Sequence, residues 1–367
     1  MTLRIAFITD QDWTNINIWS GCLFHMSHAL KKVFSHVEIV QVQKFSSFDN
    51  PTEEALKAIG REATEKVSQL EVDAIICHGT SALPYLESKL PVAFWHDSTW
   101  SALYLGHFDE VLDFQAFGEK YPNLKNWDKL ALERASLIFF AADWLRDVAC
   151  IHYGTDPRKI YTVPFGANLE GAQDRNELDQ LLAARQCNIC NLAFLGEDWE
   201  RKGLRKAVDL TERLIKLGLN VQLNVIGCVP DDPNLHTSSA IKYHGYLNKN
   251  DPAQLKSLQN TLKSSHFLVH PASFECFGCA LAEANSFGVP VLAVAVTGPV
   301  TIVKEGLNGY LFSLESFEEE AARVVKKLFE EYHEKYLPLA INSFQEYKDR
   351  LNWTAGAQKI YELLAKV

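Results

Sequence analysis

Short apolar runs alternate with longer amphipathic stretches along nearly the whole chain, and this rhythm restricts the fold to a narrow class. RIAFITD (4–10), HVEIVQV (36–42), VDAIICHG (72–79), PVAFWHD (91–97), ASLIFFAA (135–142) and KIYTVPFG (159–166) read as strands. Several are apolar almost throughout, as strands covered on both faces must be. Helical candidates lie between them at about 22–34, 53–69, 125–134 and 142–153. Strand and helix in alternation predict an α/β protein with a parallel, doubly wound sheet. The polar stretch ANLEGAQDRNELDQLLAARQC (167–187) interrupts the rhythm and reads as a linker with one helix-like turn.

The rhythm then restarts. CNLAFLGED (190–198), VQLNVIG (221–227), AIKYHGYL (240–247), HFLVHPAS (266–273), VPVLAVA (289–295) and NGYLF (308–312) read as strands, with helices over 203–217, 251–264 and near 277–287. A second domain of the same class is predicted, although no sequence repeat links the halves. A charged amphipathic helix follows residue 314, with Glu318, Glu319, Glu320, Lys326 and Lys327 reading as a solvated face. NWTAGAQKIYELLAKV (352–367) has apolar residues at helical spacing and can pack on either domain. Two such domains imply a cleft, because ligands of open α/β sheets sit beyond the carboxyl ends of the strands. The loops after residues 10, 79, 97, 198, 227 and 273 are expected to face it.

The chain's 367 residues suffice for two such cores. Its formal net charge of −10 argues against nucleic-acid binding, which needs a basic surface. No basic-then-apolar leader opens the sequence and no 18-residue apolar run exists, so a cytoplasmic location is expected. The eight cysteines are then expected to be reduced thiols.

Absent motifs exclude other chemistries. There is no G-x-G-x-x-G after a strand, no G-x-x-x-x-G-K-[ST], no H-E-x-x-H and no G-x-S-x-G. Cys187-x-x-Cys190 and Cys276-x-x-Cys279 fit a crude zinc search, but the pairs lie too far apart in sequence for a usual structural zinc site. No metal ligands are assigned. Small core residues remain the simpler reading of these cysteines.

Four loops carry candidate chemistry. DWERKG (198–203) places Arg201 and Lys202 before a helix start, an arrangement that suits phosphate and equally an exposed cation pair. SFECFGCALAE (273–283) carries Glu275 and Glu283, which a fully helical path would separate by roughly 12 Å. At that distance they do not share a proton or a metal. They can hold hydroxyls at two points of an extended ligand, or serve as a helix cap and a solvated residue. His96 ends a strand and is a candidate hydrogen-bond partner or acid/base, or simply structural. DQDWTNINIWSG (10–21) offers aromatic rings and a glycine before a helix, suited to a sugar or phosphate, unless its tryptophans fold onto the core.

Together these residues resemble a family. From NLAFLGEDWERKG through VIG and YHGYL to HPASFECFGCALAEANSFGVPVLAVAVTGPVTIVKEGLNGYLF, the second half looks like the donor-binding domain of family 4 glycosyltransferases. The E-x7-E pair, the GVPV strand and the EGxxG-type turn are specific in combination. The first half resembles the acceptor domain, with its WSG loop and KIYTVPFGANL. The resemblance implies the GT-B fold: two doubly wound, Rossmann-like domains facing a cleft. They would span 1–168 and 187–351, joined by a linker at 169–186, with the helix at about 352–367 crossing back to the first domain.

It further implies transfer of a sugar, a hexose by expectation, from a nucleotide-diphosphate sugar to an acceptor hydroxyl. Retention of anomeric configuration and no obligatory metal or cofactor follow from the same likeness; the nucleotide sugar, UDP or GDP type, is the co-substrate. Glu275 would contact the donor sugar, with the backbone amides of Phe277, Gly278 and Cys279 near sugar or phosphate. Glu283 would hold the ribose. Lys202, with Arg201, would neutralise the diphosphate. His96 would lie near the transferred sugar, and Gly21 would let the first helix approach phosphate or acceptor. Gly196 matches the family's glycine after the strand, and the base would lie against the loops near Gly227 and Tyr246.

One departure stands out: similar enzymes often have Arg after that glycine, where this chain has Glu197. A catalytically weak nucleotide-sugar-binding or partner protein, or a GT-B epimerase, is the competing expectation. The acceptor, whether glycan, lipid, protein or small molecule, is left open, as is peripheral membrane contact.

Overall fold

The computed structural model describes residues 3–44, 52–107, 114–236 and 238–367. The chain divides into two units, Met1–Phe165 with Trp353–Val367, and Gly166–Asn352. Among the described residues no helix is long and apolar enough to cross a membrane.

The first unit contains strands β1 (Arg4–Thr9), β2 (His36–Gln41), β3 (Ala74–Cys77), β4 (Val92–His96), β5 (Leu137–Phe140) and β6 (Ile160–Thr162). They form one parallel sheet in the order β2-β1-β3-β4-β5-β6. Around it lie helices α1 (Cys22–Val33), α2 (Glu53–Ser68), α3 (Trp100–His107), α4 (Phe114–Lys120), α5 (Pro122–Arg134) and α6 (Trp144–Tyr153). The central strands AIIC and LIFF are buried at every residue, whereas β2, at the sheet edge, is mostly half-buried, as covered and edge strands should be. β6 is shorter than its apolar run because Pro164 cannot donate to the ladder. α3 is apolar almost throughout (WSALYLGH), so it offers no amphipathic stripe by which its sequence would show it as a helix.

The second unit opens on α7 (Arg175–Ala184) and continues with β7 (Cys190–Leu195), α8 (Leu204–Lys216), β8 (Val221–Ile226), β9 (Ile241–Gly245), α9 (Pro252–Ser264) and β10 (Phe267–His270). α10 (Cys279–Ser286), β11 (Val291–Val294), α11 (Thr297–Ile302), β12 (Gly309–Phe312), α12 (Phe317–Glu330) and α13 (Leu337–Arg350) complete it. The strand order is β12-β11-β10-β7-β8-β9, again all parallel.

The stretch 169–186, expected as a linker, is built into this core. Asp174 caps α7 by accepting from the Glu177 N–H, and Leu178 and Leu182 are buried. Arg185 donates to the Phe287 carbonyl at 2.6 Å, the Gly288 carbonyl at 2.8 Å and the Tyr336 hydroxyl at 2.8 Å. A guanidinium on the orphan carbonyls that end α10 complements that helix terminus. Of the acidic run on α12, Glu318 is not simply solvated: it pairs with Lys206 at 2.8 Å while Phe317, Ala321 and Val325 are buried.

The final helix, α14 (Trp353–Leu364), belongs to the first unit. Its Trp353 meets Trp95 of β4 and Phe165, with ring centroids 5.8 and 4.9 Å apart.

Candidate functional site

Strand order decides which loops meet. In the second sheet β7 lies beside β10 although α8, β8, β9 and α9 separate them in sequence. Each strand therefore delivers its carboxyl-end loop to the same place, the reversal point where open α/β sheets bind ligands. DWERKG follows β7 and PASFECFG follows β10.

The two loops are joined residue by residue. The Ser273 N–H donates to the Arg201 carbonyl at 3.0 Å, and Arg201 Nη1 donates to the Phe274 carbonyl at 3.0 Å. Gly203, left-handed at φ +75°, is so close to the Pro271 carbonyl that a Cβ has no room. Between them Lys202 Nζ pairs with Glu275 Oε2. His270, the polar end of β10 and itself buried, places Nε2 3.2 Å from the same carboxylate oxygen. Thr297 at the start of α11 accepts the Glu275 N–H at 3.2 Å and donates to the Glu275 carbonyl at 2.6 Å.

Burial alone would raise the Glu275 carboxyl, but the Lys202 charge and the His270 hydrogen bond hold it well below the usual carboxylate range. Burial pushes His270 below the ordinary histidine value; Lys202 adds to this, while the hydrogen bond to Glu275 opposes it.

Glu283 does not join this cluster. It sits on α10, buried, and accepts from Lys249 Nζ at 2.9 Å. α10 starts only at Cys279, with left-handed Gly278 as its N-cap, so 275–278 is a turn rather than helix. Phe277 is buried, and the carbonyls of Cys276 and Phe277 lie against Gly298. Gly196 and Gly227 end β7 and β8 with their backbones in contact. Tyr246, beyond β9, is 54% exposed, and Val229, beyond β8, is 57% exposed.

Arg201 is held by Asp198, Nε to Oδ2 3.0 Å. Glu197 is exposed. All eight cysteines stand outside disulfides, Cys187 exposed and Cys190, Cys228 and Cys276 buried.

In the first unit a second cluster gathers where β1, β3 and β4 end. His96 Nδ1 accepts the Ser98 N–H at 3.1 Å, which leaves the ring proton on Nε2, and Asp97 Oδ1 lies 3.2 Å from Nδ1. Trp19 stacks on His96 with centroids 4.7 Å apart and planes 21° apart, and His78 lies 4.8 Å from His96. Burial and the neighbouring His96 push His78 well below the usual histidine range. Trp19 and Ser20, at φ 50° and 56°, are left-handed without being glycine, and Gly21 follows as the N-cap of α1. Strain of this kind persists where the surroundings over-determine it, commonly at functional sites. Trp13 lies beneath Lys31, whose Nζ is 4.1 Å from the ring centroid. The loop after His96 is anchored by buried Asp128, which accepts the N–H groups of Trp100 and Ser101 at 3.2 and 2.9 Å and the Tyr153 hydroxyl at 2.9 Å.

Three participants escaped the sequence reading. His270 was visible only as a polar end to the apolar run FLVH. Lys249 lies in NKND, which reads as a turn. His78 ends AIICH much as His96 ends VAFWH, but nothing in the sequence pairs them.

Residues 191–345 match the family model described as glycosyl transferases group 1. The match covers most of the second unit and includes both the β7 and the β10 loops. The GDP-mannose-dependent alpha-mannosyltransferase of Corynebacterium glutamicum is 26% identical over 47% of this chain and 43% of its own length. The lipopolysaccharide glucosyltransferase WaaG of Escherichia coli is 27% identical over 48% of each. The chain thus spans about half the length of these curated relatives. Among solved structures, Anabaena HepE in complex with UDP has a TM-score of 0.68 at 17% identity, covering 100% of both chains. WaaG has a TM-score of 0.67 at 16% identity, covering 99% of this chain and 100% of its own. The fold is GT-B, two α/β domains each with its own parallel sheet.

Proposed function

We propose that this protein transfers a hexose from a nucleotide-diphosphate sugar, of the UDP or GDP type, to an acceptor hydroxyl, with retention and without an obligatory metal. The observation that carries the reading is the joining of the β7 and β10 loops, which sets Lys202 against Glu275 beside the N-terminus of α10. The group 1 match over 191–345 supports the same reading.

Breaking the sugar–phosphate bond builds negative charge on the diphosphate and positive charge on the anomeric carbon. Lys202, the Arg201 guanidinium and the amides of Gly278 and Cys279 oppose the former before reaction begins. Glu275 accepts hydrogen bonds from the sugar hydroxyls, Glu283 from the ribose, and Tyr246 faces the base near Gly196 and Gly227. Glu197 adds no positive charge, so the second cation beside Lys202 is Arg201. Acceptor binding falls to the first unit, where His96 presents Nε2–H with Trp19 and Gly21 nearby.

Turnover of a panel of nucleotide sugars tests this. Lys202→Ala should lower kcat by about a hundredfold to a thousandfold, the cost of about 2–4 kcal/mol seen when a preorganised charge-stabilising donor is deleted. Glu275→Ala should be at least as impaired. Binding without turnover by wild type, with every acceptor class, would leave a binding protein only.

A further inference from the structure

We propose that His270 takes over the charge of Glu275 when Lys202 turns to a bound diphosphate, so that nucleotide-sugar binding draws one proton from solvent. The inference rests on the donor-site reading above. It begins with a conflict that the geometry creates. Lys202 Nζ and His270 Nε2 both meet one oxygen, Glu275 Oε2. The Glu275 side chain is 14% exposed and the His270 side chain 1%. Lys202 compensates this carboxylate, yet on the donor-site reading it is also the cation placed to receive the diphosphate.

A single ammonium does not neutralise both at full strength. If it moves, Glu275 is left as a buried carboxylate without a cationic partner, which is strongly unfavourable. The charged groups facing the imidazole are Glu275 from its own loop and Lys202 and Arg201 from the loop before α8. Arg201 is held by Asp198 and the Phe274 carbonyl. His270 is the remaining group already on the carboxylate.

Its neutral ring donates Nε2–H to Oε2. Uptake of a proton from water forms one N–H bond at Nδ1 and breaks none in the protein. The resulting imidazolium keeps Glu275 ionised as an acceptor for sugar hydroxyls. The direction follows from charge: departure of the ammonium and arrival of a diphosphate both favour the cationic ring. His270 is on this view a positioning residue, acting through Glu275 rather than on the substrate.

Calorimetric titration of UDP-glucose and GDP-mannose into wild-type protein, near pH 7 and pH 8 in buffers of different ionisation enthalpy, tests it. Neither ligand has a group of its own that titrates near neutrality. The heat of the nucleotide sugar that binds should depend on buffer, corresponding to uptake approaching one proton at the lower pH. In that range affinity should fall by up to about tenfold per pH unit. H270Q keeps an N–H donor for Glu275 but does not titrate, so it should bind with no buffer dependence. K202M should lose the dependence as well, because the ring then already carries the proton before ligand arrives.

Wild-type binding without proton uptake overturns the proposal, as does uptake that persists in H270Q. Failure of both nucleotide sugars to bind overturns the donor reading and this inference with it.

Discussion

A methyl group at Gly203 would collide with the Pro271 carbonyl, and the φ of +75° is one that L side chains rarely adopt. Both facts follow from how tightly the two loops are drawn together, so Gly203→Ala tests that tightness. The left-handed backbone alone costs about 1–2 kcal/mol, and relieving the collision must shift either Arg201–Lys202 or Pro271–Glu275. Denaturant unfolding should show a loss of about 1–3 kcal/mol, with nucleotide-sugar binding weakened as well. A variant matching wild type in both would mean that the loops need not be joined. At this scale the sequence reading singled out Lys202, Glu275 and Glu283 but not what each touches. Lys202 and Glu275 were expected on different parts of a ligand, yet in the structure they hold each other.

Elements position these residues, and α3 is the clearest case. The loop from Asp97 to Thr99 leads directly into it, and its first N–H groups end on Asp128 of α5. Burial holds the Asp128 carboxyl at about 6 against the downward pull of hydrogen bonds from Ser101, Tyr153 and Trp100. A folded pKa above the unfolded value means that the native state binds the extra proton. This group's contribution to stability is therefore fully present below about pH 4 and is lost as pH rises to about 6. The stability advantage of wild type over Asp128→Asn should shrink by on the order of 1–3 kcal/mol across that interval. Denaturation of both proteins at a series of pH values gives the comparison, and a difference independent of pH would refute it. None of this was legible beforehand, because an almost wholly apolar helix and one buried carboxylate on its neighbour α5 carry no periodic signal.

For the whole molecule, the assignment of α14 to the first unit makes this helix part of the core beside β4. Trp353 touches Trp95 and Phe165, and α14 packs on α1. Truncation at a buried aromatic costs about 3–5 kcal/mol. Trp353→Ala should therefore speed amide exchange along β1 and β4 and leave β7 and β10 protected; equal loss in both sheets would contradict the division into two units. Alternating apolar and amphipathic segments were enough to name twelve strands and the fold class, since a strand covered on both faces must be apolar and a helix over it must be amphipathic. The same reading made residues 169–186 a tether, because a short capped helix with two buried leucines is nearly silent in a polar stretch. What the sequence could determine by itself was which segments are strands and which residue types end them. Which strand lies beside which was decided only in three dimensions: β7 next to β10 brings Lys202 to Glu275 across 73 residues, and no local propensity encodes a contact made by packing order.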